Sequence, residues 1–478
     1  MGDGLKERTA KGLMWGAINN LSSQILSVLT GIVLGRLLTP SDYGMVGMLT
    51  VFTAIAGTLQ DSGFTVALTN LEKATHRDYN AVFWFSTLTS LTLCAILYLC
   101  APLIADFLHQ PELVDLSRLV FVSMMLSGVG IAHAAYMFRN MMNRERAVTN
   151  FLALAGSGVV GITLAFNGYS YWSLAWLQFV YICIVDACRF YYARWRPTLP
   201  VDFGPIRQMF VFSSKILVTN IVNQINNNLM SIVFARLFNA RAVGNYTQAA
   251  KWNQLGYSLI SGTLQQVAQP VLARISNEEG RQLHVFRKML RFTAFAAMPS
   301  MFGLALIAEF IVLILGPQWT DCVPLLRILC VSGAFIPIHT LYQNLFLSQG
   351  RSDTYMWCTL CQIVGLLLTV WFSSHWGLVP MVAAYSALLI LWTGVWQFLA
   401  HRLTGLRHRD FLKDVLPFTL IAAACMMVTC FLTRGISQPI LLIVSRVVVA
   451  ALLYVAIMKM ANVKIFNECI HFLLYKIK

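Results

Sequence analysis

Amide and hydroxyl side chains recur at helical spacing inside stretches that are otherwise apolar. In the stretch around residue 220 they share one helix face: Lys215, Thr219, Asn223, Asn226 and Asn227. Asn19 and Ser23 form a weaker face of the same kind near the N-terminus, and Gln248 belongs to a third polar stretch. Amides both donate and accept hydrogen bonds, as sugar hydroxyls require. Such faces fit either a hydrated, sugar-binding lumen or hydrogen bonds between neighbouring helices.

Two lysines add positive charge to these faces. Lys251 lies about 14 Å from the start of its stretch at 1.5 Å per residue, near the middle of a ~30 Å hydrocarbon core. Lys215 is shallower. An ammonium group at mid-depth needs water, a carboxylate or an anionic ligand. Two interpretations stay open: both lysines bind a pyrophosphate, or Lys251 pairs with the carboxylate of Asp61.

The sequence offers no pattern for a catalytic centre, a metal or a cofactor. No G-x-x-x-x-G-K-[ST] motif occurs, so ATP is not expected to be the direct energy source. Cys358 and Cys361 form a C-x-x-C, but neither a second pair nor a nearby histidine completes a zinc site. Coupling to H⁺ or Na⁺ stays open, with Asp61 as the candidate carboxylate.

These residues belong to a chain dominated by apolar runs. Of its 478 residues, 58% are hydrophobic and only 12% are charged, whereas soluble proteins average about 25% charged. Backbone inside lipid must satisfy its own hydrogen bonds, and the runs lack the two-residue alternation of barrel strands. The sequence therefore predicts an all-α integral membrane protein without a soluble domain. The net charge of +15 is assigned to cytoplasmic loops and not to nucleic-acid binding.

Fourteen transmembrane helices are predicted. They lie near residues 13–35, 45–66, 80–104, 116–138, 148–166, 171–192, 208–235, 243–271, 292–315, 323–347, 355–374, 378–400, 415–433 and 439–458. Of the 35 Lys and Arg residues, 26 then fall on the N-terminal side of the membrane, four on the opposite side and five within spans. Because basic residues concentrate in cytoplasmic loops, both termini are predicted to be cytoplasmic.

The two halves of the chain repeat each other at an offset of 200 residues, with nine of 25 positions identical between 20–44 and 220–244. The identical polar or glycine pairs are Asn20/Asn220, Gln24/Gln224, Arg36/Arg236 and Gly44/Gly244. Six spans separate the copies, so both halves insert the same way up, as a parallel repeat. We expect two six-helix lobes around a central cavity and an appendage: an N-lobe at 1–200, a C-lobe at 201–405, and helices 13 and 14 with a cytoplasmic tail at 406–478.

The turn after the first span carries its own signals. Pro40 ends helix propagation, and Ser41 or Asp42 can accept a backbone hydrogen bond at the start of the next helix.

Two segments resemble the Wzx-type polysaccharide transporters of the multidrug/oligosaccharidyl-lipid/polysaccharide flippase superfamily: G-L-M-W-G-A-I-N-N-L (12–21) and L-G-R-L-L-T-P-S-D-Y-G (34–44). The 6+6+2 arrangement of spans is similar to that superfamily as well.

The resemblance implies a flippase of the bacterial inner membrane. Its cargo would be an undecaprenyl-pyrophosphate-linked oligosaccharide, a repeat unit of O-antigen, capsule or exopolysaccharide, moved from the cytoplasmic to the periplasmic leaflet by alternating access. A polysaccharide polymerase and a chain-length regulator are the protein partners that it implies. Helices 13 and 14 are apolar and lie outside the repeat, so we expect them to form a groove for the polyprenyl tail.

Two other functions stay open at this point. A cation-coupled drug antiporter of the same superfamily would need intramembrane carboxylates, and the chain offers few, chiefly Asp61, Asp186 and Glu309. A membrane-embedded polysaccharide polymerase or ligase would need a substantial periplasmic loop, and the longest predicted one, near 105–115, is short. Lysines inside the spans favour an anionic cargo. Transport without catalysis is the function that the sequence favours.

Overall fold

A computed structural model describes residues 2–71 and 73–468, which contain α-helices and no β-strand. By their internal contacts they form two compact units, divided between Gly244 and Asn245. The helices of the first unit are α1 (Gly2–Leu37), α2 (Pro40–Asp61), α3 (Phe64–Asn70), α4 (His76–Phe107), α5 (Leu113–Val129), α6 (Ile131–Arg139), α7 (Asn143–Phe166), α8 (Trp172–Tyr192) and α9 (Gly204–Leu237). The second unit holds most of α10 (Ala240–Arg274), then α11 (Glu279–Leu306), α12 (Phe310–Leu315), α13 (Cys322–Gly333), α14 (Ile336–Ser348), α15 (Ser352–Ser373), α16 (Leu378–Thr404), α17 (His408–Leu432) and α18 (Pro439–Met460), with 3₁₀ turns at Pro317–Trp319 and Ser374–Trp376.

Most of these helices are suited to a bilayer. Within the described residues, eleven helical segments are long and apolar enough to cross a membrane, and α5 with α6, bent by 42°, would make a twelfth. The predicted all-helical, multi-pass membrane fold is confirmed. The helices α9 and α10, of 34 and 35 residues, exceed the ~20 that a span needs. They are not among the twelve because they carry the polar faces described above.

The predicted span at 45–66 is interrupted. The helix α2 ends at Asp61, and Ser62 and Gly63 take left-handed backbone angles, with φ of 45° and 74°, before α3 begins. A right-handed helix cannot continue through two such residues. Asp61 therefore lies at a helix terminus inside the span. The predicted spans at 116–138, 292–315 and 323–347 are likewise each built from two helices.

The turn between α1 and α2 is shorter than predicted. Only Leu38 and Thr39 separate the helices, because Pro40 opens α2 at a position where its missing N–H leaves no hydrogen bond unmade. Thr39 is the N-cap. Its backbone N–H donates to the Asp42 carboxylate at 2.8 Å, and the Asp42 N–H donates to the Thr39 hydroxyl at 3.4 Å. Of the two predicted acceptors, Ser41 and Asp42, the structure confirms Asp42, and the N-cap residue is Thr39.

The repeated glycines lie at a close approach between α2 and the start of α10, within the first unit. A Cβ on Gly44 would lie 1.8 Å from the carbonyl oxygen of Ala240, and a Cβ on Gly244 would lie 1.7 Å from that of Pro40. No residue with a side chain fits at either position without moving the backbone. The two copies of the turn therefore pack against each other reciprocally, and each copy needs its glycine.

In the second unit α11 packs against α13, α14 and α17. Arg287 of α11 donates from Nε to Oδ2 of Asp414 in α17 at 2.7 Å, and Arg291 lies 3.4 Å from the same carboxylate. The Asp414 side chain is buried. Because a buried carboxylate needs a cationic partner, these contacts hold α17, the first helix outside the predicted repeat, against the rest of the unit.

Candidate functional site

A polar cavity of about 570 Å³ lies between α2 and α9 in the first unit. The residues that line it are Thr53, Ala54, Gly57, Thr58 and Asp61 of α2, and Asn220, Asn223, Gln224 and Asn227 of α9. Each set follows the spacing of one helix face. Small residues at 54 and 57 leave the space, and α9 presents amides to it. Of the predicted site residues, the structure brings together Asn223, Asn227 and Asp61 here.

Asp61 is the one charged residue among the described lining residues. It is the last residue of α2, where the negative end of the helix dipole disfavours a carboxylate. The hydroxyl of Thr65, one turn further on, donates to Asp61 Oδ1. A carboxylate at a helix C-terminus, beside a polar cavity, suits a proton or a small cation as its counter-charge.

The amides of α9 give the cavity its hydrogen-bonding capacity. Asn228, which is next to the lining face, donates to the Gln224 backbone carbonyl at 2.9 Å and to Gln224 Oε1 at 3.2 Å, and so orients that side chain. Asn220 and Asn227 are exposed to the cavity. Each amide offers two donors and an acceptor oxygen, which together match groups such as sugar hydroxyls that both donate and accept.

Asn19 and Ser23 of α1 are not among the residues that line this cavity. Asn150 of α7 donates from Nδ2 to Asn19 Oδ1 at 3.0 Å, so Asn19 joins two helices. The Ser23 hydroxyl is buried and has no hydrogen-bond partner within the described part of the chain. The sequence left two interpretations for each amide, a hydrated lumen or a hydrogen bond between helices. For Asn19 the structure shows the hydrogen bond between helices.

Gln248 and Lys251 belong to α10, in the second unit. Gln248 is buried, and its Oε1 has no hydrogen-bond partner among residues 2–71 and 73–468. Trp252 Nε1 is likewise buried without a hydrogen-bond partner in the described part of the chain. Both atoms are exceptions, since buried polar groups normally form hydrogen bonds. Lys251 is exposed. Lys215 is a residue of α9, and its side chain lies outside the described part of the structure.

A groove of about 410 Å³ lies in the second unit between α11, α17 and α18, where the sequence predicted one beside helices 13 and 14. Its lining is mostly apolar: Pro299, Ser300, Gly303, Leu304, Leu306 and Ile307 of the α11 region, Met426 of α17, and Arg446, Val447, Ala450, Ala451, Tyr454 and Val455 of α18. Tyr454 donates its hydroxyl hydrogen to the Phe295 carbonyl at 3.0 Å. The groove thus offers a prenyl or acyl chain a surface with few polar groups.

Sequence reasoning missed a second polar cavity in the first unit. Arg146 of α7 and Arg189 of α8 line a cavity of about 210 Å³, and Arg189 pairs with Asp186 at 3.1 Å. Asp186 packs against Gly130 at the bend between α5 and α6, where an added Cβ would lie 1.9 Å from Asp186 Oδ1. The available signal was the i, i+3 spacing of Asp186 and Arg189 on an apolar helix.

The family model described as "Polysaccharide biosynthesis protein" matches residues 33–324. The chain is 25% identical over 357 residues to the lipopolysaccharide biosynthesis protein WzxC of Escherichia coli (strain K12), covering 73% of this chain and 72% of that one. It is 24% identical over 369 residues to the teichuronic acid biosynthesis protein TuaB of Bacillus subtilis (strain 168), covering 73% of each.

Among solved structures, the lipid II flippase MurJ in an inward closed conformation has a similar fold. The TM-score is 0.75, at 16% sequence identity, over 97% of this chain and 100% of that one. At this identity the likeness shows a shared helical fold. It says nothing about which molecule this chain binds.

Proposed function

The chain belongs to the polysaccharide biosynthesis protein family, and from that premise we propose that it flips a lipid-linked oligosaccharide across a membrane. The proposed cargo is an undecaprenyl-pyrophosphate-linked repeat unit of O-antigen, capsule or exopolysaccharide. It moves from the cytoplasmic to the periplasmic leaflet by alternating access, without catalysis. The observation that carries the proposal is the amide-lined cavity between α2 and α9, whose donors and acceptors suit a glycan.

The proposed setting is the bacterial inner membrane, with fourteen spans and both termini in the cytoplasm. The helices α9 and α10 would bring the twelve apolar spans to fourteen, since both are long enough to cross and a lumen would shield their polar faces from lipid. The bias of Lys and Arg supports the orientation. The two parallel lobes, at 1–200 and 201–405, are supported by the reciprocal packing of Gly44 and Gly244.

The cargo has three chemically different parts, and each has a proposed site. The glycan is assigned to the amides of α9, with Gln248 and Ser23 as further lumen residues, whereas Asn19, which is hydrogen-bonded to Asn150, is not assigned to the cargo. Before translocation the pyrophosphate is assigned to Lys215 and Lys251, because ammonium groups bind phosphate as point charges. The polyprenyl tail is assigned to the apolar groove beside α17 and α18. A polymerase and a chain-length regulator are the proposed protein partners, since they would consume the flipped units.

Asp61 is the proposed coupling site for H⁺ or Na⁺, with no other cofactor. Its place at the end of α2, beside the cavity, supports this role. The same carboxylate is what a cation-coupled drug antiporter would use, so that function is the second candidate. Family membership and the amides that surround Asp61 favour the glycan.

The test removes two amides from the cavity. The double variant Asn223→Ala with Asn227→Ala should flip lipid-linked oligosaccharide in proteoliposomes about tenfold or more slowly, since each lost hydrogen bond is worth about 1 kcal/mol. Its thermal unfolding is measured in the same preparation, so that a loss of stability is distinguished from a loss of cargo binding. Asn167→Ala is the matched control, an exposed amide that donates to the Thr163 carbonyl of its own helix at 2.7 Å.

Two results would contradict the proposed function. One is a double variant that flips at the parent rate. The other is a parent protein that flips no oligosaccharide but exports a cationic dye along an ion gradient, with the export abolished in Asp61→Asn. The second result would favour the antiporter.

A further inference from the structure

Three charged side chains meet at one end of the groove in the second unit. Arg446 of α18 donates from Nη1 to Glu309 Oε2 at 3.1 Å, and Arg327 of α13 donates from Nη2 to Glu309 Oε1. Arg446 also donates to the Leu306 carbonyl at 3.0 Å and, from Nε, to Thr433 Oγ1 at 3.4 Å. Residues at the ends of α11, α12 and α17 therefore converge with α13 and α18 on this cluster.

The cluster carries more positive charge than its carboxylate requires. One guanidinium group would neutralise Glu309, and two contact it. Only 12% of the Arg446 side chain is exposed, and its Nη2 donates to no residue in the described part of the chain. This Nη2 is not among the fully buried donors, so it is open to a ligand at the groove. The surplus charge and the unused donors fit an anion, and arginine binds phosphate through paired N–H groups.

The rest of the groove is apolar and about one leaflet deep. Arg446 is the one charged residue among the described residues that line it, and Gly303, Ala450 and Ala451 leave room against the helices. From Arg446 to Val455, α18 rises about 14 Å at 1.5 Å per residue, close to half of a ~30 Å hydrocarbon core. The shape and charge together fit a lipid with one anionic head and one hydrocarbon chain.

We propose that Arg446 and Arg327 bind the phosphate head of a polyprenyl lipid whose first isoprene units lie in the groove between α11 and α18. The inference rests on the proposed function, because the proposed orientation places the Arg446 end of the groove toward the periplasm. The bound lipid then has its head on the periplasmic side, about 10 Å along α18 from Pro439, and its chain pointing past the midplane. It is the cargo after translocation, held before release. Glu309 competes for the same guanidinium groups, so it limits the affinity and allows release.

The test is binding of farnesyl pyrophosphate to the full-length protein in nanodiscs, with farnesol and inorganic pyrophosphate as probes of each half. The parent should bind farnesyl pyrophosphate more tightly than either. Arg446→Gln combined with Arg327→Gln should weaken that binding about tenfold or more, because hydrogen bonds to charged groups are lost, and should leave farnesol binding unchanged. Arg118→Gln, which removes an arginine of α5 that pairs with Asp115, is the matched control.

Glu309→Gln distinguishes a phosphate site from a purely structural ion pair. If phosphate binds here, removal of the carboxylate frees both guanidinium groups, and farnesyl pyrophosphate should bind several-fold more tightly. If the cluster only joins helices, the same change lowers the melting temperature and does not tighten binding, which would overturn the inference. A parent that binds farnesol and farnesyl pyrophosphate equally would overturn it too. Flipping by the parent is assayed separately, so failure of the proposed function is distinguishable from failure of this site.

Discussion

The cavity between α2 and α9 and the groove beside α18 are opposite in chemistry although they are similar in size. Four amides and a carboxylate line the first, in about 570 Å³, whereas mostly apolar residues and one arginine line the second, in about 410 Å³. In both regions, small residues on the lining helix faces leave the space that forms the cavity or the groove. A glycan needs hydrogen-bonding partners on all sides, and a prenyl chain needs none. We interpret the difference as separate binding of the two parts of one amphiphilic cargo.

The largest effect is expected from filling the polar cavity. Gly57 lines it, and a Cβ on this residue would have no other atom within 4 Å. Gly57→Leu should therefore fold normally, with a gain in helix propensity of up to about 1 kcal/mol. It should slow flipping roughly a hundredfold, because the leucine occupies the space in which amides contact the cargo, at about 1 kcal/mol for each lost hydrogen bond. Flipping rates and thermal unfolding in the same preparation measure both effects.

The same variant tests whether the cavity and the groove bind independently. Its affinity for farnesyl pyrophosphate should equal that of the parent, since the groove is untouched. If Gly57→Leu flipped at the parent rate, the glycan would have to take another route. Gly394→Leu is the control, because a Cβ on Gly394 of α16 also meets nothing within 4 Å and this glycine lines neither region.

A smaller effect is expected from filling the groove. Gly303 lies in α11, and a Cβ there would meet only the Met426 Cε atom, at an ordinary 3.7 Å. Gly303→Leu should weaken binding of both farnesol and farnesyl pyrophosphate about tenfold, since roughly 1.4 kcal/mol of apolar contact is lost. Flipping should slow only several-fold, because the tail can remain in lipid. Unchanged farnesol binding would show that the chain lies elsewhere.

Much of the polar cavity could be predicted from local spacing. Asn223 and Asn227 are one helical turn apart, so their shared face follows from helix geometry alone. The family resemblance was also visible in the turn at 34–44, and it is confirmed by a family match that begins at residue 33. These features depend on residues that are close in sequence, which is where periodicity and motifs carry information.

The features that the sequence could not predict depend on distant contacts. The sequence marked Glu309 only as one of a few intramembrane carboxylates, and its partners Arg327 and Arg446 are 18 and 137 residues away. The repeat marked Gly44 and Gly244 as special, but only the fold shows that each faces the backbone of the other copy. The bend of 42° between α5 and α6 could not be predicted either, because Asp186, which packs against Gly130 at this bend, is distant from it in sequence. The local sequence does not specify which distant residues will pair with a carboxylate such as Glu309.

The smallest effect is expected at Asn19, a residue that the sequence predicted to face the lumen but that is hydrogen-bonded to a neighbouring helix. Its Oδ1 accepts from Asn150 at 3.0 Å, and interhelical hydrogen bonds in membrane proteins average about 0.6 kcal/mol. Asn19→Ala should lower the melting temperature by no more than about 2 °C and change flipping less than twofold. Asn150→Ala should do the same, and the double variant should add nothing to either single change, since both remove one bond. If Asn19→Ala alone slowed flipping tenfold, Asn19 would contact the cargo directly, and the glycan route would extend along α1 beyond the cavity between α2 and α9.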